Sequence, residues 1–458
     1  MNTTKQDAIK LLDIFDHEMA DLLHREEKRQ FETIGLIASE NVVSPMASVL
    51  EGSVFTNKNT EGYAGKRFVG GCRLADQAEL LAVARVKQAF GADHANIQCG
   101  NATIANIAVL RACLKPGDTF MGLTLDNGGH LSHGAKFHYS GAAFHALHYG
   151  VSRETEMIDM EQVRRMALEN KPKLICVGAS SYPRLIDYKG FREICDEVGA
   201  YFWVDCAHDC GLIAGGAIPS PVPYAHVLTF STQKTLRGPR GCGVILVCKD
   251  LDVPDGVNKD GTPKFTKMST KIDRSVFPRL QGGPKGDMLA ARGVLFYELL
   301  QPEFKAYAKQ VCLNAKALAK GCADEGLRII TGGTDTHMVM LDVTSVGVNG
   351  LEAETLLNDV GLVANKNMIP FDLLPPSCGS GLRIGSPTMT TRGAKEAEME
   401  HIGHLLGKAL KSKDDPAVLD EIAAEVKRLA TSHPMFSSEW VSPSIREEFE
   451  AMYYHQPC

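Results

Sequence analysis

No apolar run in the sequence approaches the ~20 residues needed to cross a bilayer as a helix, which excludes an integral helical membrane protein. Blocks of one charge sign are missing too: 49 Lys and Arg stand against 55 Asp and Glu, for a net charge of -6. Without a basic stretch there is no electrostatic footprint for nucleic acid or an anionic membrane surface, so small-molecule partners are expected. Internal repeats and low-complexity tracts are absent. Cysteine is plentiful, at 13 residues, but a cysteine framework is not there. The thiols sit in apolar segments such as Lys173-Leu-Ile-Cys-Val-Gly178, and no secretory leader is in view, so they are expected to be buried and reduced in a cytoplasmic protein. A metal is weighed at Cys206-Ala-His-Asp-Cys210, whose alternate positions would share a strand face, and is set aside because no second ligand pair stands nearby.

What is present is length and alternation. A chain of 458 residues exceeds the size at which one core usually keeps growing, so a large domain with a smaller companion is expected. Lys5 to Phe31 reads as an amphipathic helix whose apolar stripe (Ile9, Leu11, Leu12, Ile14, Phe15, Met19, Leu22, Leu23) needs a partner, on its own domain or on another subunit. From Ala75 to Phe90 a second helix is predicted. Short β-rich runs then follow at 95–99, 119–123, 144–149, 174–179, 201–205, 227–231 and 243–247, with helical periods such as 160–168 and 191–198 between them. This alternation predicts an α/β domain with a mostly parallel seven-stranded sheet covered on both faces. After Pro284 come helices at 287–300 and 303–325, strands at 337–343 and 382–384, and helices at 351–360 and 394–410, an α+β texture. The division expected is therefore an N-terminal helical segment 1–30, a large domain 31–285 and a small C-terminal domain 286–458. The tail from Trp440 has weak periodicity and no assignment.

The most informative segment is Val227-Leu-Thr-Phe-Ser-Thr-Gln-Lys-Thr-Leu-Arg-Gly-Pro-Arg-Gly241. It is an apolar strand, a hydroxyl run, one lysine, then a turn rich in glycine and arginine, which suits an aldehyde cofactor bearing a phosphate. A lone lysine is far more often a solvated surface residue. Upstream, however, Tyr201-Phe-Trp-Val-Asp-Cys-Ala-His208 ends a second strand in an aspartate followed by a histidine. A pyridine ring draws electrons only while its nitrogen stays protonated, and a carboxylate at a strand end can hold that proton. Read alone, Asp205 would more often be a cap; the order aspartate, histidine, strand, lysine changes that balance.

At this point the sequence resembles the serine hydroxymethyltransferases. The likeness rests on Leu36-Ile-Ala-Ser-Glu-Asn41, Glu61-Gly-Tyr63, Gly65-Lys-Arg67, Gly128-Gly-His-Leu131, Val204-Asp205 with Ala207-His208, Lys234 to Gly241, Gln281-Gly-Gly-Pro284 and Leu382-Arg-Ile-Gly385, in the family's order. It implies a fold-type I pyridoxal 5'-phosphate enzyme, a homodimer or homotetramer with active sites shared between subunits, and tetrahydrofolate as co-substrate. Lys234 would carry the cofactor as a Schiff base, Asp205 would hold the pyridinium proton, His130 would stack on the ring, and His208 would lie near the phenolic oxygen or the substrate. Arg383 and Ser39 would bind the substrate carboxylate, with Tyr63 also at the substrate. Glu61, from the neighbouring subunit, would be the proton-transfer group. Asn101, Ala102 and Thr103 would form the phosphate loop, completed by Gly282 and Gly283 of the other subunit, with Ser180, Ser231, Gln233 and Asn59 also around the cofactor. Folate would touch Glu61, Leu125, Gly129, Leu131, Asn367 and Phe68. No metal is implied.

The chain departs from the family pattern near this chemistry. Asn59, Phe68 and Val69 stand where tyrosines are usual, Gln233 replaces a histidine, and Asn101-Ala102-Thr103 replaces a Ser-Gly-Ser type run. Losing a buried phenol that bonds substrate or phosphate costs ~1–3 kcal/mol, so a specialised paralogue is one expectation, with Val69 leaving room for an α-substituted substrate such as α-methylserine. A folate-independent aldolase or transaldolase acting on threonine or another β-hydroxy amino acid, and a catalytically silent cofactor-binding subunit, are the competing readings.

Overall fold

The computed structural model describes residues 5–443 and Arg446; most of the tail beyond Trp440 lies outside the described residues. The single N-terminal helix expected from the apolar stripe is two helices, α1 (Lys5–Phe15) and α2 (His17–Glu32). Asp16 divides them: its carboxylate accepts from the Met19 amide at 3.1 Å and caps α2, an alternative to continued helix that short acidic side chains offer. The apolar stripe stays uncovered, with Ile14 85% and Phe15 90% exposed.

Helix α3 (Arg73–Phe90) ends on Gly91 in the left-handed conformation and leads into strand β1 (His94–Asn96). Helix α4 (Ala102–Cys113) follows, then β2 (Thr119–Leu123), β3 (His145–Tyr149), β4 (Leu174–Val177), β5 (Tyr201–Asp205), the short helix α5 (Cys210–Ala214), β6 (Val227–Ser231) and β7 (Gly243–Val247). These seven strands form one sheet in the order β1-β7-β6-β5-β4-β2-β3. β7 runs antiparallel to both its neighbours, and the remaining pairs are parallel. Every residue of β4, β6 and β7 is buried, as expected when helices cover both faces and the strand sequence becomes continuously apolar. Val204, Leu228, Phe230 and Leu246 face one core, while Trp203, Val227, Ile245 and Val247 face another.

Beyond this sheet come α6 (Gly286–Glu298) and α7 (Pro302–Asp324). A four-stranded antiparallel sheet follows, built from β8 (Arg328–Ile329), β9 (Met338–Asp342), β10 (Asn365–Asn367) and β11 (Gly381–Gly385) in the order β8-β9-β11-β10. Helices Gly350–Asp359, Glu396–Lys411 and Pro416–Thr431 cover it. The cores change later than the expected division at 285. Leu289, Leu295, Phe296, Phe304, Tyr307 and Val311 belong to the core of the large sheet, whereas Ala315, Leu318 and Cys322, further along α7, belong to the second core. One continuous helix spans both, and a sequence that is helical throughout carries no mark of that passage. The N-terminal side is also shared: Ile34–Gly35 pairs in parallel with Leu362–Val363, and Ile34 and Leu36 enter the second core.

Among the described residues no helix is long and apolar enough to cross a membrane. The twelve cysteines among the described residues are free thiols, nine of them buried.

Candidate active site

The carboxyl ends of parallel strands are where backbone and side chains open onto a crevice, and here those ends converge. Asp205 terminates β5 and Ser231 terminates β6; β4 leads to Ser180, and β2 leads into the turn Leu125–Gly134. Asp205 is buried and held on both oxygens. Its Oδ1 accepts from the Ala207 amide at 3.0 Å, and its Oδ2 accepts from Asn106 Nδ2 at 2.7 Å and His133 Nε2 at 3.1 Å. Burial by itself would raise this carboxyl. The His133 hydrogen bond, with the nearby His133, His130 and Lys234 favouring the charged form, outweighs it and holds Asp205 well below the usual carboxylate range. The tautomer of His133 follows from its other nitrogen: Nδ1 accepts from the His130 amide at 3.2 Å, so Nε2 carries the proton donated to Asp205.

His130 stands on the same turn. Its Nδ1 accepts from the Ser132 amide and lies 2.7 Å from Ser132 Oγ, which fixes the ring, and burial, reinforced by His133 and Lys234, lowers it to about 4. Ser132 Oγ in turn receives a bond from Asn106 at 2.8 Å, so the ring of His130 and the carboxylate of Asp205 share one framework. Leu125 and Leu131 flank this turn and are partly exposed. Gly129 is packed so closely that a Cβ there would come within 2.1 Å of the Leu123 carbonyl.

Lys234 follows the hydroxyl run after β6. Its carbonyl accepts from Asn41 Nδ2 at 2.9 Å, and Thr235 Oγ1 donates to the His208 carbonyl at 2.8 Å, which ties the lysine segment to the loop after β5. Burial lowers the amine, with Asp205 opposing. His208 is buried, and its Nδ1 lies 3.2 Å from His337 Nε2. Cys206, His208 and Cys210 do not share a strand face, because β5 stops at Asp205 and α5 starts at Cys210; the two thiols face backbone carbonyls of Thr229, Ala207 and Ser231.

Arg383, in the middle of β11, reaches back to the large sheet: Nη1 donates to the Ser180 carbonyl at 2.8 Å and Nη2 to Asn365 Oδ1 at 3.3 Å. No acidic residue pairs with it among the described residues, and its Nε is buried without a partner. Ser39 lies on the loop that packs along β11, where Gly385 donates to the Leu36 carbonyl at 2.7 Å and leaves no room for a Cβ against Ala38. Asn367 pairs with Gly381 two positions from Arg383.

A second cluster is built by the segments 59–68 and 281–285. Asn59 Oδ1 accepts from the Glu61 amide at 3.0 Å, and the Asn59 backbone bridges to Lys285. Gly283 lies against Asn59 and Glu61, and Phe68 is 73% exposed with its ring 5.6 Å from Phe277. The hydroxyl of Tyr63 is committed to the Asp273 carbonyl at 2.7 Å and to Asn96 Nδ2 at 2.8 Å. Gln281 fastens the Gly282–Gly283 loop to the end of β1, accepting from the Gly100 amide at 3.2 Å and donating to the Gln98 carbonyl at 2.7 Å. Asn101 caps α4 by accepting from the Ile104 amide at 2.9 Å; the first-turn amides of Ala102 and Thr103 are left for an anion by helix geometry.

Several residues at the first cluster were not singled out from sequence: Asn106, His133, Asp209, His337 and Asn365. Asn106 had a signal, an amide in the apolar helix Ile104-Ala-Asn-Ile-Ala-Val-Leu110. The others acquire their partners only through the tertiary fold.

The donors present fit a phosphorylated pyridine aldehyde. The amine of Lys234 and the guanidinium of Arg383 have no acidic ion-pair partner among the described residues, and Ser231 Oγ and Gln233 Oε1 are buried without hydrogen bonds. Uncommitted polar atoms of this kind are costly unless a ligand meets them. With an anchored, ionised Asp205 and a helix start, they define a pyridoxal-phosphate-dependent transferase of fold-type I. Comparison with known proteins narrows the class: residues 12–406 match the family model for serine hydroxymethyltransferase. The chain is 49% identical over 421 residues to a serine hydroxymethyltransferase of Coprothermobacter proteolyticus, covering 92% of this chain and 97% of the relative. It is 47% identical over 421 residues to one of Koribacter versatilis (92% and 95% covered), and 47% identical over 430 residues to one of Myxococcus xanthus (94% and 99%). The chain belongs to the serine hydroxymethyltransferase family.

Proposed function

We propose that the chain interconverts serine and glycine, or a near analogue and its matching amino acid, with tetrahydrofolate as the one-carbon acceptor. The observation that carries this is Lys234 and Arg383, neither with an acidic ion-pair partner among the described residues, in one site with a firmly ionised Asp205. When bound, pyridoxal phosphate supplies the electron sink that takes the electron pair of the bond broken at the substrate Cα. Lys234 is the covalent anchor. Asp205, kept charged by His133 and Asn106, holds the proton on the ring nitrogen. His130, a neutral ring fixed by Ser132, would offer its face to the cofactor ring. Arg383 would offer its remaining donors to the substrate carboxylate, assisted by Ser39, and so orient the substrate at Cα. Gln233, Ser231, Ser180 and the amides at the start of α4 hold the cofactor and its phosphate, and Leu125, Gly129, Leu131 and Asn367 receive folate.

Asn59, Glu61, Tyr63, Phe68, Gly282 and Gly283 form their own cluster, and we infer that they serve the site of a second copy. The exposed apolar side chains of α1 and α2 support a homodimer, since an uncovered apolar stripe of this kind marks an interface. Dimer and tetramer are separated by light scattering. The reduced, buried thiols suit a cytoplasmic protein.

The test is incubation of the cofactor-loaded protein with L-serine, α-methyl-L-serine and L-threonine, each with and without tetrahydrofolate, followed by quantification of the amino acids formed. Glycine from serine that depends on folate is the expected result. Turnover indifferent to folate would replace the proposal with an aldolase, and turnover confined to α-methylserine would make Asn59, Phe68, Val69 and Gln233 the marks of a specialised substrate.

A further inference from the structure

Behind His208 lies an arrangement that the roles above leave unused. His208 Nδ1 and His337 Nε2 are 3.2 Å apart, and the two rings are inclined by only 21° with centroids 5.4 Å apart. That combination places the imidazoles edge to edge, sharing one hydrogen bond. On the far side of His337, its Nδ1 faces Asp209 Oδ1 across 3.7 Å. Both of these atoms are buried, and among the described residues neither makes a hydrogen bond of good geometry, although the Ala38 backbone carbonyl lies near the His337 ring and competes with Asp209 for its proton. An orphaned buried donor or acceptor costs ~1–3 kcal/mol, and a carboxyl movement of about 1 Å would satisfy both at once. At the other end, His208 Nε2 meets no hydrogen-bond partner among the described residues.

Resting on the reading of His208 as a residue of the cofactor site, we propose that Asp209, His337 and His208 form a proton relay that lets His208 Nε2 take up a proton from the substrate side and store it on the Asp209 carboxyl, both imidazoles remaining neutral. The proton count closes. With Asp209 ionised, its Oδ1 accepts from His337 Nδ1–H, His337 Nε2 accepts from His208 Nδ1–H, and His208 Nε2 is bare. A proton added at that Nε2 displaces the Nδ1 proton of His208 onto His337, whose own Nδ1 proton passes to Asp209. His208 Nε2 has then changed from acceptor to donor.

The surroundings favour this over a simple imidazolium. Burial, reinforced by the nearby Lys234 and Arg383, holds His208 well below its ordinary value and His337 at about 3, the Ala38 backbone carbonyl opposing at His337. Asp209 is pushed up by burial to about 7, Lys234 opposing and Asp205 reinforcing, so the carboxyl is the member able to exchange a proton near neutrality. The other groups around it do not titrate there. Asp205 is held far down, while burial pushes Tyr188, Cys206, Cys210 and Cys312 up. His208 is then the group that touches substrate or cofactor, and Asp209 and His337 are positioning residues.

The tautomer of His208 is the direct readout. Holoenzyme labelled with 15N-histidine would be followed by long-range 1H–15N spectra from pH 6 to 8.5, with His208 assigned from a His208→Asn sample. The expected result is an exchange of the protonated nitrogen, from Nε2 in the majority at pH 6 to Nδ1 in the majority at pH 8.5. In Asp209→Asn and in His337→Gln a single tautomer should persist throughout, and the second variant keeps the test decisive where the first fails to fold. An exchange that survives either substitution, or one tautomer at every pH in the unmodified protein, overturns the relay. Folate-dependent turnover of L-serine and of α-methyl-L-serine on the same preparations separates the two ideas: turnover without tautomer exchange refutes the relay alone, and exchange without turnover of either substrate refutes the proposed function alone.

Discussion

Removing His133 should move Asp205. The imidazole donates one of the three hydrogen bonds that hold the carboxylate, at 3.1 Å, and meets the Trp203 ring edge to face with centroids 5.7 Å apart, so His133→Leu keeps most of the volume and deletes the donor. A hydrogen bond to a charged group contributes about 1.5–3 kcal/mol, and 1.36 kcal/mol corresponds to one pKa unit, so the carboxyl should rise by about 1–2 units. Burial, no longer fully offset, pushes in the same direction. Asn106 still donates at 2.7 Å, so the rise stops short of neutralising Asp205 at pH 7.

The consequence is therefore displaced on the pH axis. At pH 8 the variant should bind pyridoxal phosphate within a few-fold of the unmodified protein. As pH falls, the loss of cofactor affinity that accompanies protonation of Asp205 should begin about 1–2 units earlier, and His133→Leu combined with Asn106→Leu should move it further. Fluorescence titration of apoprotein with cofactor from pH 2 to 8 measures this, a window that reaches down to where a carboxyl held well below the usual range titrates. The sign follows from linkage: a carboxyl held down in the folded state contributes stability above its unfolded value and loses it as pH falls through the folded one. An acid limb within about 0.3 units of the original, in a variant that still binds cofactor, would mean that His133 does not hold Asp205 down.

Three other perturbations test separate parts of the structure. Arg383→Lys retains charge but loses the planar fork, so kcat/KM should fall about 10–100-fold, mainly through KM for the amino acid; a change under about threefold would remove Arg383 from carboxylate binding. Arg392 donates to the carbonyls of Gln30, Phe31, Thr33, Ala430 and His433, tying the end of α2 to the C-terminal helix, and Arg392→Ala should lower stability to urea by about 3–5 kcal/mol, with a loss under 1 kcal/mol counting against that role. For Asp209 the folded carboxyl, at about 7, keeps a proton that the unfolded chain has already released above about 4, so stability of the unmodified protein should fall as pH rises through that window. Asp209→Asn lacks this slope, so its stability relative to the unmodified protein should improve by about 2 kcal/mol between pH 5.5 and 8.5, and parallel curves would contradict the raised carboxyl.

What was legible in the sequence divides along a physical line. Strands β5 and β6 could be read because burial on both faces turns them into apolar runs, and the residues at their ends stood out as polar interruptions: Asp205, then the hydroxyls leading to Lys234. Shorter-range signals that went unread include Asp415 and Pro416, the cap and first-turn proline of the helix to Thr431, and Asp260-Gly261 between the strands Asp252–Val257 and Pro263–Lys267. Other features had no local signal. His208 and His337 are 129 positions apart and meet only because β9 and the loop after β5 face one another across the two sheets. His133 stands three residues past His130, yet nothing nearby in sequence shows that its Nε2 meets a carboxylate 72 positions further on. Groups that touch a ligand can stand out as motifs, because the chemistry demands a residue type beside a strand end or a glycine turn. Groups that hold those residues in one charge state or tautomer are selected by long-range pairing, and Asn106, His133, His337 and Asp209 became visible only once the distances between them were known.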